Sequence, residues 1–181
     1  MANKQALREL QSRLAERLSA ARTEQPGKSW LAVECAGHGL LFPLKEAGEI
    51  FALTPLAPVP YSQAWFLGVA NLRGHLHGVA DLAGFLGLNS GLKPSAPGAE
   101  AHGREQARLV GFNQSLELNC VLLVDRLSGL RSETDLVALP DDSAVRPAFA
   151  GTRLRDAAGR IWQELNLAEL AADEAFLRIV R

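Results

Sequence analysis

The sequence predicts a mainly β chain of barrel or sandwich type, with short helices at its margins. Three observations carry this: apolar residues alternate with period two in several short runs, turn residues separate those runs, and no strand–helix–strand rhythm appears. With 181 residues, 48% apolar and 22% charged, the chain is long enough to bury a core without disulfide or metal staples.

Residues 5–22 place Leu7, Leu10, Leu14 and Leu18 at spacings of three and four, with Glu9 and Arg13 paired on the opposite side. This spacing predicts an amphipathic helix whose leucines dock on the body of the fold or on a partner. Pro26 and Gly27 end it. From Trp30 the period changes: Leu31, Val33 and Cys35 alternate with Ala32 and Glu34, and Leu40 with Phe42 continues past a Gly37-His38-Gly39 turn, which predicts a β-hairpin. Pro55, Pro58 and Pro60 forbid a regular ladder and predict an extended loop.

The run Trp65 to Gly74 is followed by a strand expected around Leu76 to Ala80 and by a short helix, with Asp81 as its cap and Gly87 at its close. Residues 89–107, rich in Gly, Pro, Ala and Ser, read as a mobile loop. Leu116, Leu118, Cys120, Leu122 and Val124 alternate most regularly of all and predict the clearest strand. A strand near Ile161 to Leu165, a helix near Leu167 to Ala172 and a further turn through Phe176, Leu177 and Val180 complete the chain.

Composition narrows function. The net charge of −1 offers no basic field for a phosphate backbone, and no aromatic and basic stripe accompanies it, so nucleic acid is not an expected partner. No run approaches 18 consecutive apolar residues and the amino terminus lacks an apolar leader core, so neither secretion nor membrane insertion is expected. Cys35 and Cys120, far apart in apolar runs, read as small buried hydrophobes in a reducing compartment.

His75 and His77 share one strand face and Asp81 follows, which could begin a zinc site. A third ligand and outer partners are missing, and Asp81 is better explained as a helix cap. Cys35 with His38 is weaker still. Asp141 and Asp142 sit in a polar turn, where carboxylates are normally solvated. No nucleophile elbow, phosphate loop or dinucleotide fingerprint is present, so no enzyme activity and no cofactor are expected. A metal- or small-molecule-binding barrel using His75, His77 and Asp81 stays as the alternative from another class.

The run Leu67-Gly68-Val69-Ala70-Asn71-Leu72-Arg73-Gly74, then Val79-Ala80-Asp81-Leu82 and Phe85-Leu86-Gly87-Leu88, resembles the signature of the CheW family of chemotaxis coupling proteins. The Glu49-Ile50 step, the Val59-Pro60 loop and Leu122-Leu123-Val124-Asp125-Arg126-Leu127 follow the same order, over roughly residues 29–170. The leucine-bearing amino-terminal segment and the Trp162-Gln163-Glu164-Leu165-Asn166-Leu167 ending resemble the pilus-associated, PilI-like branch of twitching motility. A flagellar coupling protein is the nearer alternative. Gly78, where the family usually has proline, and Cys120, where glycine is common, depart from the pattern.

The resemblance implies two SH3-like five-stranded β-barrel subdomains, intertwined within residues 29–172 and bracketed by short helices. Residues 1–28 would form an amino-terminal helix and linker, and residues 173–181 a helical tail. It implies a non-catalytic cytoplasmic adaptor, associated with membrane-bound receptor arrays, that couples the cytoplasmic tip of a chemoreceptor to the regulatory domain of a CheA-type histidine kinase. Glu49 and Arg73 match the family's acid and base and are expected as a partly buried ion pair at the rim of a groove. Asn71, Leu72 and Gly74 would shape the loop presenting the arginine, and Ile50 and Val69 would wall the groove. A purely structural role for each of these residues stays open: Arg73 could fix its own loop, and Ile50 and Val69 could be plain core.

Overall fold

The computed structural model describes residues 27–88, 105–140 and 145–181. The leucine stripe of residues 5–22, most of the 89–107 segment, and Asp141 with Asp142 lie outside the described residues. The strands are β1 Ser29–Cys35, β2 His38–Pro43, β3 Ala47–Ala52, β4 Phe66–Leu72, β5 His75–Asp81, β6 Arg108–Phe112, β7 Cys120–Val124, β8 Arg126–Ser132, β9 Leu136–Ala138, β10 Ala150–Asp156 and β11 Ile161–Leu165. Three short helices follow β5 and β11: α1 Leu82–Phe85, α2 Leu167–Ala172 and α3 Glu174–Leu177.

Two sheets result, one ordered β8-β1-β2-β11-β10-β9 and the other β3-β6-β7-β5-β4. They correspond to the two SH3-like subdomains, the three-residue β9 bringing the first sheet to six strands. The chain starts the first sheet, completes the second with β3 to β7, and returns to finish the first. Each sheet contains one parallel pairing, β2 with β11 and β5 with β7, and the β2–β11 pairing, which spans the inserted second sheet, interleaves the subdomains.

Burial explains why the central strands are apolar on both faces. In β1, Trp30 and Ala32 face a core inside the first sheet with Leu41, Leu154 and Trp162. Leu31, Val33 and Cys35 face a second core shared by both sheets, where Phe42, Val110, Phe112, Leu122 and Val124 meet Leu82, Leu167, Leu170 and Phe176 from the three helices. A third core, of Ala70, Leu72, Val79, Leu109 and Val121, fills the second sheet. A strand sandwiched between two cores cannot keep the polar face of a half-exposed strand. Cys35 and Cys120 are buried free thiols, and burial pushes both up to about 12, which leaves them unreactive.

The expected strand through Leu116 and Leu118 is corrected: β7 begins only at Cys120. The Asn113 side chain accepts the Ser115 amide at 3.0 Å and starts a single 3-10 turn over Gln114–Leu116. Glu117 then takes φ +51, which no extended strand tolerates. Leu116 and Leu118 still pack against the shared core, so the alternation reported burial rather than strand.

The buried Glu46, in the turn between β2 and β3, ties that turn to α2. Its Oε2 accepts the Leu167 amide at 2.8 Å and the Ala168 amide at 3.2 Å, and Asn166 Oδ1 accepts Glu169 N at 3.0 Å. The first turn of α2 therefore has its exposed amides satisfied by two side chains. Glu46→Ala leaves the buried Leu167 amide and the part-buried Ala168 amide without their acceptor and is expected to lower the free energy of unfolding by about 2 kcal/mol, read by urea unfolding. A loss below about 0.5 kcal/mol would contradict this role.

Candidate partner-binding site

The signature run forms β4, its turn and β5. Arg73 and Gly74 are the two central turn residues, with φ +51 and +87. Two positive φ values in a two-residue hairpin loop define a type I′ turn, which matches the twist of the flanking strands. Gly74 donates its amide to Asn71 Oδ1 at 2.9 Å, so Asn71 holds the turn from the strand side. Leu72 is buried in the core of the second sheet and anchors the hairpin. Arginine is a poor choice for the first turn position, where a Cβ costs about 1 kcal/mol.

Gly68 has a separate reason to be glycine. Its φ is +130, and a Cβ there would run into the Ala57 carbonyl. The strand register slips between Phe66 and Gly68, and Val69 exchanges two 2.8 Å backbone bonds with Ala57. The proline-spaced loop thus pairs with β4 at one residue, Val69.

Glu49 stands on β3, at the opposite edge of the same sheet, and its carboxylate meets Arg73 Nη1 at 2.5 Å. The pair joins the two ends of the sheet across its mouth. The expected partial burial is corrected: the side chains are 44% and 73% exposed, because Arg73 projects from a turn and β3 is an edge strand. In water-accessible surroundings such a pair contributes about 0–1 kcal/mol, not the 2 kcal/mol of a desolvated one. A double-mutant cycle of Glu49→Ala and Arg73→Ala is expected to give a coupling in stability of about 0.5 kcal/mol, measured by urea unfolding. Coupling above 2 kcal/mol would require a burial the structure lacks.

A cleft of about 780 Å³ opens beneath the pair, lined by Glu49, Phe51, Leu72, Arg73, His75 and His77 among others. Its lining does not include Ile50 or Val69. Ile50 is 39% exposed and, next to Glu49 in β3, points to the opposite face, and Val69 pairs through its backbone with Ala57; the structure does not bring these two into that cleft. His77 Nδ1 contacts the His75 carbonyl at 3.1 Å, while Asp81 lies at the far end of β5, packed over Gly84 at the start of α1. Asp81 occupies the cap position but makes no side-chain cap bond there, and burial pushes its carboxyl up despite the nearby Gly84 and Ala83 amides. Among the described residues no three His, Cys, Asp or Glu side chains gather as metal ligands.

The two departures from the family pattern have local reasons. Gly78 donates its amide to the Asn119 carbonyl at 2.9 Å, a bond proline could not make. Its missing side chain leaves room for the Phe66 ring. Cys120 is buried beside it at the start of β7.

A polar cluster lies in the other sheet, which sequence reasoning missed. Glu34 on β1 accepts Arg126 Nη2 at 2.8 Å, Ser128 Oγ at 2.9 Å and Arg160 Nη1 at 2.7 Å. These donors hold its carboxyl at about 2, well below the usual range, against the opposing effect of burial. The partners come from 92 to 126 residues away. The one signal available was a carboxylate within an otherwise apolar strand.

Comparison with known proteins adds an independent line. The family model described as CheW-like domain matches residues 29–175. Protein PilI of Pseudomonas aeruginosa is 28% identical over 171 residues, spanning 92% of this chain and 88% of that protein. A probable chemotaxis protein CheW of Rhizobium etli is 35% identical over 95 residues, 51% of this chain and 52% of its own length. The solved scaffolding protein TtCheW from Thermoanaerobacter tengcongensis superposes with a TM-score of 0.60 over 78% of this chain and 85% of that one; at 17% identity, this likeness speaks for the fold alone.

Proposed function

The chain belongs to the CheW-like domain family, and from this premise we propose that it is a non-catalytic scaffold coupling a chemoreceptor to a CheA-type histidine kinase. The observation that carries the reading to a site is Arg73. It is an exposed arginine at a left-handed turn position where glycine or asparagine would fold better, steered by Glu49 and offering its remaining donors to solvent. A residue that costs the turn stability has its use outside the turn. Asn71, Leu72 and Gly74 build the platform, with Ile50 and Val69 as flanking apolar contacts. The adaptor works in the cytoplasm beside receptor arrays, and no helix among the described residues is long and apolar enough to cross a membrane.

A PilI matches over 92% of the chain, against 64% for a chemotaxis protein CheW of Rhizobium meliloti, and this wider match favours a type IV pilus pathway of twitching motility over a flagellar one. Titration calorimetry against the kinase regulatory domain and the receptor's cytoplasmic hairpin tip tests the reading. Each is expected to bind with defined stoichiometry. Arg73→Gly is expected to weaken at least one of them by about tenfold, a typical loss for an interface arginine, while leaving folding stability within about 1 kcal/mol. No binding to either partner would refute the proposal. Unchanged binding by Arg73→Gly would reduce Arg73 to a turn residue.

A further inference from the structure

We infer that a cationic depression where the first sheet meets the start of β6, sharing no lining residue with the cleft beneath Arg73, is a docking site for an extended acidic peptide segment of a partner protein. It has a volume of about 570 Å³ and collects Arg108 from β6, Arg126 and Arg131 from β8, and Arg160 from the β10–β11 turn, together with Glu34, Asp156 and Trp162. Four guanidinium groups against two carboxylates leave two net positive charges.

Both carboxylates are already engaged within the fold. Glu34 accepts Arg126, Ser128 and Arg160, and Asp156 accepts Trp162 Nε1 at 3.0 Å and the amides of Ala158 and Arg160 at 3.0 and 2.9 Å. Arg108 and Arg131 instead bond only backbone carbonyls among the described residues: Glu105 and Ala107 for the first, Leu130 for the second. Among the described residues neither makes a direct ion pair, and Arg131 lies only in the field of Asp135 and Asp156.

The guanidinia are pre-oriented. Arg160 stacks over Trp162 at 4.5 Å and Arg131 at 5.6 Å from the ring centre, and Glu34 grips Arg126 and Arg160. Side chains held this way lose little further freedom when a carboxylate arrives. Arg126 and Arg160 nonetheless stay 52% and 36% exposed, so the depression is open to a macromolecule.

Its chemistry selects among anions. Trp162 is 1% exposed and offers no free ring face, so a nucleobase has nothing to stack on. The space is on the scale that holds a drug-sized ligand, far larger than one phosphate needs. Carboxylates spaced along an extended chain match both the volume and the separated cations, and guanidinium grips carboxylate with two parallel bonds.

The test uses the full chain and a fluorescein-labelled hexaglutamate peptide, followed by anisotropy at low ionic strength. One-to-one binding is expected, weakening at least tenfold when salt shortens the screening length from about 30 Å to about 10 Å. Arg108→Glu with Arg131→Glu is expected to weaken it at least tenfold, and the Arg108→Gln with Arg131→Gln pair by an intermediate factor. Neither pair disturbs the Glu34 cluster, and thermal melts confirm folding. Arg178→Glu, on the exposed end of α3, is expected to change nothing. No saturable binding, or an equal loss in Arg178→Glu, overturns the proposal; so does pyrophosphate binding one-to-one more tightly than the peptide, which would make this a small-anion site. The measurement needs neither kinase nor receptor, so it stands or falls separately from the coupling function.

Discussion

Trp162→Ala is expected to lower the free energy of unfolding by about 3–5 kcal/mol, the range for emptying a buried aromatic position. The side chain is 1% exposed and fills the first sheet's core against Trp30, Leu41, Leu136 and Leu154. Its loss also removes one of the donors to the Asp156 carboxylate, the indole N–H at 3.0 Å, and the platform under Arg131 and Arg160. Gly39 opposite has no side chain to refill the space, since a Cβ there would come within 2.6 Å of the ring. Urea unfolding read by far-ultraviolet circular dichroism checks the loss, and Tm should fall on the order of 10 °C. Trp162→Phe, which keeps the bulk and drops the donor, is expected to lose about 1 kcal/mol. A loss under 1 kcal/mol for the alanine variant would mean that the core can collapse around the site.

Glu34→Gln removes the charge that two arginines grip and is expected to cost about 3 kcal/mol at neutral pH, from a carboxyl held near 2 instead of its ordinary 4.5. The sign follows from linkage. A folded-state value below the unfolded one means that the contribution is fully present above pH 4.5 and is lost as pH falls through 4.5 toward 2. The difference between wild type and Glu34→Gln should therefore shrink to about half by pH ~3. Asp81 and Asp125 act oppositely, because burial raises their carboxyls above 3.8 and protonation then favours the fold. The wild-type acid profile mixes both effects, and the pairwise difference isolates Glu34. A difference that stays constant from pH 7 to pH 3 would show that the arginines do not hold the carboxylate.

The sequence pattern was readable in several strands buried on one or both faces, though not in β6, whose five residues Arg108–Phe112 are too short a run to show a period. The β1–β2 hairpin, β11 and α2 lie where the alternation and helical spacing put them. Strands β3, β8, β9 and β10 did not stand out because most of their residues are exposed or half-buried, and their partners hold them more than their own apolar content. The run from Leu116 misled because packing, not strand geometry, gave its period. Within the candidate site, periodicity alone would have marked Asn71 and Gly74 as turn residues. Only the family resemblance singled out Arg73 and Glu49, whose contact crosses from one sheet edge to the other. The degree of burial was not legible at all, since it depends on where β3 ends up. The Glu34 cluster and the arginine depression escaped for a related reason, as the parallel and returning strands assemble them from opposite ends of the chain.

The proposed coupling function makes one direct demand, that this chain recruit the kinase to the receptor. Receptor-bearing membranes, a CheA-type kinase and this protein can be mixed and sedimented, with the kinase quantified in the pellet. Kinase is expected to pellet only when this protein is present, in an amount that saturates with it, and Arg73→Gly is expected to lower the pelleted fraction with no change in folded content. Kinase that pellets equally without this chain, or that stays in the supernatant at saturating amounts of it, would contradict the account.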